Sequence, residues 1–358
     1  MRLEKRHQAS PAALLLAPLA ALLFTLGVSA VLVAWAGAPV GRTYALMLQG
    51  GFGSLFAWSE TLTRAVPLIL TGLAATIAFK ARLYNIGAEG QLYAGALAAV
   101  AVGGVPAGGT LAAPVGLLFP LMLAAAALAG ALLLLGPALL KARLGVDEVV
   151  TTLLMNFIVL LGVGALLDGP MKDPAALGWP QSLALASELE LTRLVPGTRV
   201  HSGLLMAAAL ACALAALLRF TLVGFQIRAA GANARAAAFA GVPSLRTALL
   251  VALLSGSLAG LAGAIEVAGR TGYVTLDMSP GYGYSGIVIA MLAGLRPLGV
   301  LAAAILIAGV LVGADSMSRV VGVPTYLADV IVATSLIAVL VATLFTQYRV
   351  RWWSGAGA

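Results

Sequence analysis

The sequence has 358 residues, of which 61% are hydrophobic and 9% charged; an average soluble domain carries about a quarter charged residues, so a water-soluble enzyme is excluded and a polytopic membrane protein is indicated. The formal net charge of +8 lies on the segments between apolar runs, where it orients a chain in the bilayer and gives no reason to invoke nucleic acid. The single cysteine, Cys212, precludes an internal disulfide and falls in an apolar run, where a thiol is expected to be buried, inert packing.

Ten apolar windows are long enough to cross roughly 30 Å of hydrocarbon: 12–36, 61–79, 86–104, 111–140, 147–167, 203–223, 244–268, 277–295, 297–314 and 324–347. They predict an all-α, polytopic helical bundle of about ten transmembrane helices, a single transmembrane domain over 1–358. The first window follows Arg2, Lys5 and Arg6 as a signal peptide would, but its apolar stretch is too long for one and predicts an uncleaved helix.

Between the second and third windows stands NIGAEGQ, which puts Asn85, Glu89 and Gln91 into an apolar setting. Polar groups at membrane depth are costly and point to function. Asn85 and Glu89, four apart, would share a helix face, while Gly87 and Gly90 allow a close neighbour or a helix break. Two readings stay open: contact with a transported solute, and hydrogen bonds that tie neighbouring helices together. Asp147 and Glu148 open the fifth window, where a helix dipole favours acids and capping is expected. Asn156, deeper in the same window, needs a buried partner and is a second pathway candidate.

Residues 168–202, rich in proline and polar groups, predict an external cap, with Leu183, Leu185 and Leu189 spaced for a short surface helix. The Ala-rich segment 224–243, bounded by Gly224 and Pro243 and carrying Arg228 and Arg235, predicts a short cytoplasmic helix. It is a connector or a docking surface for a soluble partner. Glu266 and Asp329 stand at outer ends of their windows and are expected to be solvated or interfacial.

Gly283-Tyr284-Ser285-Gly286 matches the GxSG pattern of intramembrane serine proteases, but such a serine needs a base, and the two histidines, His7 and His201, lie outside the windows. The four lysines, Lys5, Lys80, Lys141 and Lys172, do not follow a glycine, so a Walker A loop is absent from the sequence. No catalytic residue, metal site or cofactor is assigned. With the N-terminus inside, fourteen of the twenty-one Lys and Arg fall on the cytoplasmic side, and ten crossings return the C-terminus there. A split after residue 202 leaves five windows in each half, 1–202 and 203–358, the arrangement of an inverted repeat with its site near the midplane.

On the stretches GFGSLFAWSETLTRAVPLILTGLAATIAFKARLYNIGAEGQ (51–91), GVDEVVTTLLMNFI (145–158), GFQIRAAGANARAAAFAGV (224–242), LLSGSLAGLAGAIEVAG (253–269) and GYGYSGIVIAMLAGLRPLGVLAAAIL (281–306), the chain resembles permease subunits of bacterial ABC importers. The branch is that of ribose and branched-chain amino acid permeases, and within it the chain most resembles nucleoside permeases served by basic-membrane-protein-type lipoprotein receptors. Asp147 stands where the family usually has Asn, Ser285 where Asp is common, and VPTYLADVIVATSLI lacks the usual Gln-Gly pair. The resemblance implies nucleoside uptake through the inner (plasma) membrane, driven by separate ATP-binding subunits, with a second homologous permease and an external solute-binding lipoprotein receptor. It also implies that 224–243 is the ATPase-coupling segment, with Arg228, Gly231, Asn233, Ala236, Ala237 and Gly241 on its motif. Asn85, Glu89, Gln91, Asn156 and Ser285 are the candidate pathway residues. The alternatives are the same machine carrying a simple sugar or another small polar solute, and an ion-coupled secondary transporter with Glu89 as its coupling carboxylate.

Overall fold

The computed structural model describes residues 2–5, 11–106, 109–322 and 326–351. The chain divides into two compact units, Leu55–Ala308, and a second made of Met1–Ser54 with Gly309–Ala358.

In the larger unit the helices are α3 (Leu55–Lys80), α4 (Ala88–Gly103), α5 (Val115–Leu144), α6 (Glu148–Asp168), α7 (Gly203–Phe220), α8 (Leu222–Ala232), α9 (Ala234–Phe239), α10 (Ser244–Glu266) and α11 (Tyr282–Leu292), with α12 (Pro297–Val321) beginning at its end. A π-helical turn, Val267–Thr271, follows α10. The core is α3, α4, α5 and α10, with α11 laid against α3 and α6 against α4. Lipid offers no hydrophobic drive between helices, so close contact depends on small residues. Gly256, Gly260 and Gly263 of α10 supply it: a Cβ on any of them would run into backbone of α5 or α4, at Gly130, Ala126 and Leu92 respectively.

The smaller unit holds α1 (Pro11–Trp35), α2 (Val40–Phe52), the far end of α12, α13 (Tyr326–Gln347) and two terminal strands. Here α1 packs on α13, and β1 (Arg2–Lys5) pairs antiparallel with the last strand, Tyr348–Arg351, bringing the two chain ends together.

Each of the ten windows contains a helix, but the crossings differ from the expectation. Among the described residues six helices are long and apolar enough to span a membrane, or up to seven if the bent pair Leu23–Trp35 and Val40–Phe52, which meet at 116°, is one span. Helix α2 lies outside every window, because Gly41, Arg42, Gln49, Gly50 and Gly51 dilute its hydropathy. Helix α11 has 11 residues, about 16 Å at 1.5 Å per residue, half of the hydrocarbon depth. Helix α4, with 16, is also short of the roughly 20 needed.

In the cap, 168–202, the run from Leu183 to Leu189 does not form the expected surface helix. Leu185 and Leu189 are buried and touch the end of α4 at Gly103, and only Ser187–Leu189 forms a single 3-10 turn. Its backbone is stitched to the π turn and to the residues just after it: Leu191 N–H donates to Ala268 O (2.8 Å), Leu185 N–H to Gly272 O (2.7 Å) and Ser182 N–H to Val274 O (3.0 Å). His201, 2% exposed, fills the space left by Gly203 and Gly269. Cys212, expected inside, is exposed on α7.

Candidate functional site

Helix α3 stops at Lys80 by turning through Arg82 in the left-handed region (φ 57°), with Leu83 N–H bonded to Ala78 O (2.9 Å). The chain then runs back into the bundle without helical hydrogen bonds, and a segment doing so in a membrane needs partners for every backbone group. Helix α6 supplies them from one face. Glu148, Thr152 and Asn156 follow at intervals of four, and all three are buried. Glu148 accepts from Tyr84 N–H (3.1 Å) and pairs with Lys141, which also donates to Arg82 O (2.8 Å). Thr152 Oγ1 accepts from Ile86 N–H (3.2 Å). Asn156 accepts from Gly90 N–H (2.8 Å) and donates to Ile86 O (2.9 Å) and to the Tyr284 hydroxyl (3.1 Å).

Asn85 lies in this extended stretch, so it and Glu89 do not share a helix face. Its amide pairs reciprocally with that of Gln91, Nδ2 to Oε1 and Nε2 to Oδ1, both at 2.9 Å. It also donates to Ser255 Oγ (3.1 Å) and accepts from Gly87 N–H (2.9 Å). Ser255 passes the chain of bonds on to Ala74 O (2.8 Å). The side-chain hydrogen bonds of Asn85 thus go to α4, to Gly87 just before it and to α10, and Ser255 carries the link on to α3. This is the helix-tying reading.

Glu89 opens α4 and points at the start of α11. Its Oε2 accepts from Gly283 N–H (2.6 Å), with Ser279 alongside. A Cβ on Gly283 would collide with the Glu89 backbone, so glycine is what permits the approach. The start of α11 is held on α3 by Thr71 Oγ1, which donates to Tyr282 O (2.9 Å) near the middle of that 26-residue helix. Two short helices therefore begin beside α3 with a carboxylate between them, where their dipoles favour negative charge. Ser285 is buried on α11 and takes no part in these bonds. Tyr284, 38% exposed, gives the junction an open side, and the sequence reading missed it. Its hydroxyl, three residues from Gly281 at a helix start, was the available signal.

Asp147 caps α6 as expected, accepting from Val149 N–H (2.8 Å). Glu148 does not act as a dipole partner alone, since it anchors the loop. Glu266, expected at a solvated end, is 1% exposed and ion-paired to Arg270, because the π turn and the cap cover it.

The segment 224–243 is two helices broken at Asn233, whose Oδ1 accepts from Ala236 N–H (3.1 Å) and starts α9. Gly231 sits on the Lys80 carbonyl, with no room for a side chain. Ala237 is buried beneath α9, while Arg228, Asn233, Arg235 and Ala236 are exposed. Gly241 (φ +82°) ends the segment before Pro243. Phe239, 97% exposed, projects from α9 and was not singled out by sequence.

The family described as branched-chain amino acid transport system / permease component matches residues 57–340. A glucose ABC transporter permease protein of Haloferax volcanii is 38% identical over 86% of this chain and 82% of its own. A guanosine ABC transporter permease protein of Bacillus subtilis is 34% identical over 95% and 96%. A nucleoside ABC transporter permease protein of Lactococcus lactis is 28% identical over 91% and 90%. No solved structure matches the chain.

Proposed function

The chain belongs to the branched-chain amino acid transport system permease family, as an ABC transporter permease, and we propose that it carries nucleosides into the cell by ATP hydrolysis in separate subunits. The observation that carries a transport role is the meeting of two short helix starts around Glu89. In each half of the chain, split after residue 202, the short helix is the third window, and short segments at matching positions of two halves mark a site in inverted-repeat transporters. That correspondence supports a 5+5 repeat of ten membrane-embedded segments, some of them half-helices.

Coupling is proposed through α8 and α9. The exposed Arg228, Arg235 and Phe239 form a surface suited to a groove in an ATP-binding subunit, while Gly231 rests on the last carbonyl of α3. A push on α8 is therefore delivered to Lys80, from which the loop leads to Asn85 and Glu89. The proposed assembly adds a second homologous permease and an external lipoprotein receptor in the inner membrane, with both termini cytoplasmic. The pairing of β1 with the last strand supports termini on one side.

Two relatives named for guanosine and nucleosides favour that cargo, and the relative named for glucose favours a sugar as the second reading. Accumulation of labelled guanosine in vesicles bearing the full assembly, with and without ATP and with an uncoupler, tests the proposal. ATP-dependent, uncoupler-resistant uptake is expected; uptake that ignores ATP and collapses with the proton gradient rejects it. Unlabelled glucose that competes in the same vesicles moves the cargo to a sugar.

A further inference from the structure

Beyond the junction, toward the cap, lies a buried group that transport through Glu89 does not use. Glu266, at the end of α10, pairs through Oε1 with Arg270 of the π turn, and Arg270 also donates to the Tyr282 hydroxyl (2.9 Å). Arg64 of α3 stands within electrostatic reach of Glu266 and Tyr282. On the outer flank Glu60 meets Arg199 of the cap at 3.5 Å. The second oxygen of Glu266, Oε2, is buried and accepts no hydrogen bond among the described residues.

Such an oxygen is expensive. A buried carboxylate with an idle acceptor gives up hydration without return, and native structures rarely leave one without a reason. A single π turn inserted at the end of an α-helix is likewise enriched at functional sites. The position is also telling. Tyr282 contributes its hydroxyl to this cluster, its carbonyl to Thr71, and its neighbour Gly283 to Glu89, so the cluster is the next step outward from the junction.

The chemistry limits the occupant. Guanidinium groups around Glu266 repel a cation, and the free carboxylate oxygen repels an anion. A neutral group that donates to the carboxylate and accepts from a guanidinium satisfies both, and adjacent hydroxyls of a sugar ring are such a group. We propose that Glu266, with Arg270, is a recognition site for paired sugar hydroxyls of the cargo, Glu266 Oε2 accepting from one hydroxyl. This rests on the reading of the cargo as a nucleoside or sugar.

The test pairs substrate and protein changes in the complete reconstituted assembly. Uptake of guanosine is compared with that of its 2′,3′-dideoxy analogue, in the parent and in Glu266→Gln. The receptor is the same in all four measurements, so its own preference cancels in the ratio. A hydrogen bond to a charged group is worth about tenfold or more, so the parent's preference for guanosine should fall by about tenfold in the variant. Where Glu266→Gln does not assemble, Glu266→Asp keeps the charge against Arg270 and withdraws the oxygen, and the same fall is expected. Equal losses for the two substrates overturn the site, whether the role is structural or recognition of the base, and leave the cargo standing. A parent that imports guanosine but shows no preference for its hydroxyls overturns it as well. Failure of the parent to import either guanosine or glucose overturns the cargo reading and this site with it.

Discussion

At the scale of single residues, buried amides settle how a loop can exist inside a membrane protein. Asn156 feeds both the Gly90 N–H and the Ile86 carbonyl, so one side chain satisfies two backbone groups that have no helical partner. Asn156→Leu keeps the volume and strands both, at about 1–3 kcal/mol for each buried group left unpaired. The thermal midpoint of the purified protein should fall by several degrees and ATP-dependent uptake should be lost; an unchanged midpoint would show that the loop is held elsewhere. Gly283→Ala is the complementary case. It adds one carbon where the Glu89 backbone already stands, and overpacking of this kind costs about 1–3 kcal/mol. Uptake should fall at least tenfold, with Gly281→Ala as a control for backbone strain at a left-handed residue rather than for contact.

At the scale of elements, the cap and the helices α8 and α9 make separate predictions. His201 is buried against Gly203 and Gly269, and its Nδ1 accepts from Gly203 N–H (3.2 Å), so the ring is neutral in the folded cap. Burial pushes its pKa down to about 4 from 6.5. The unfolded cap therefore takes up the proton first, and stability complete above pH 6.5 is lost as pH falls toward 4. Protease nicking of 169–202 should rise over that window, and His201→Gln should flatten the rise; nicking that ignores pH would place the ring in water. On the other side, Phe239→Ala removes an exposed aromatic without opening the core. Co-purification with the ATP-binding subunit should drop several-fold at an unchanged thermal midpoint, as loss of an aromatic anchor does at an interface. Gly231→Leu, which meets the Lys80 carbonyl, should lower both.

Much of this was legible in the sequence at the level of chemistry and less so at the level of geometry. NIGAEGQ announced a polar site, and the Ala-rich run 224–243 announced short helices, found as α8 and α9. That Asn85 stands outside a helix was not readable, because the bonds that stop α4 from starting earlier come from Thr152 and Asn156, more than sixty residues away. The shortness of α11 escaped a hydropathy window that ran through Pro280 and Gly281, although that pair is a turn signal and could have been used. Glu266 was misplaced for a different reason: position along a window says nothing of a cap folded over its end.

At the scale of the whole molecule, the crossing number decides on which side each of these surfaces works. The apolar windows imply ten membrane-embedded segments, whereas helix length and composition give six or seven spans among the described residues. Half-helices account for two of the missing segments, α4 and α11, because a helix of 16 or 11 residues with its preceding loop can occupy the membrane without crossing it as a helix. If so, the cap faces outward and α9 inward, as the fourteen-to-seven division of basic residues requires. Ser187 and Ala236 are both exposed and test this directly. Cys212, on the span α7, is first replaced by alanine so that each introduced cysteine is the single thiol in the chain. In that background, a cysteine at Ser187 should react with a membrane-impermeant maleimide added to intact cells, and one at Ala236 only after the membrane is opened. Reaction of both from outside would put cap and coupling segment on one face. That outcome would leave Phe239 and Arg235 with no ATP-binding subunit to meet, and would remove the ATP-driven mechanism along with the topology.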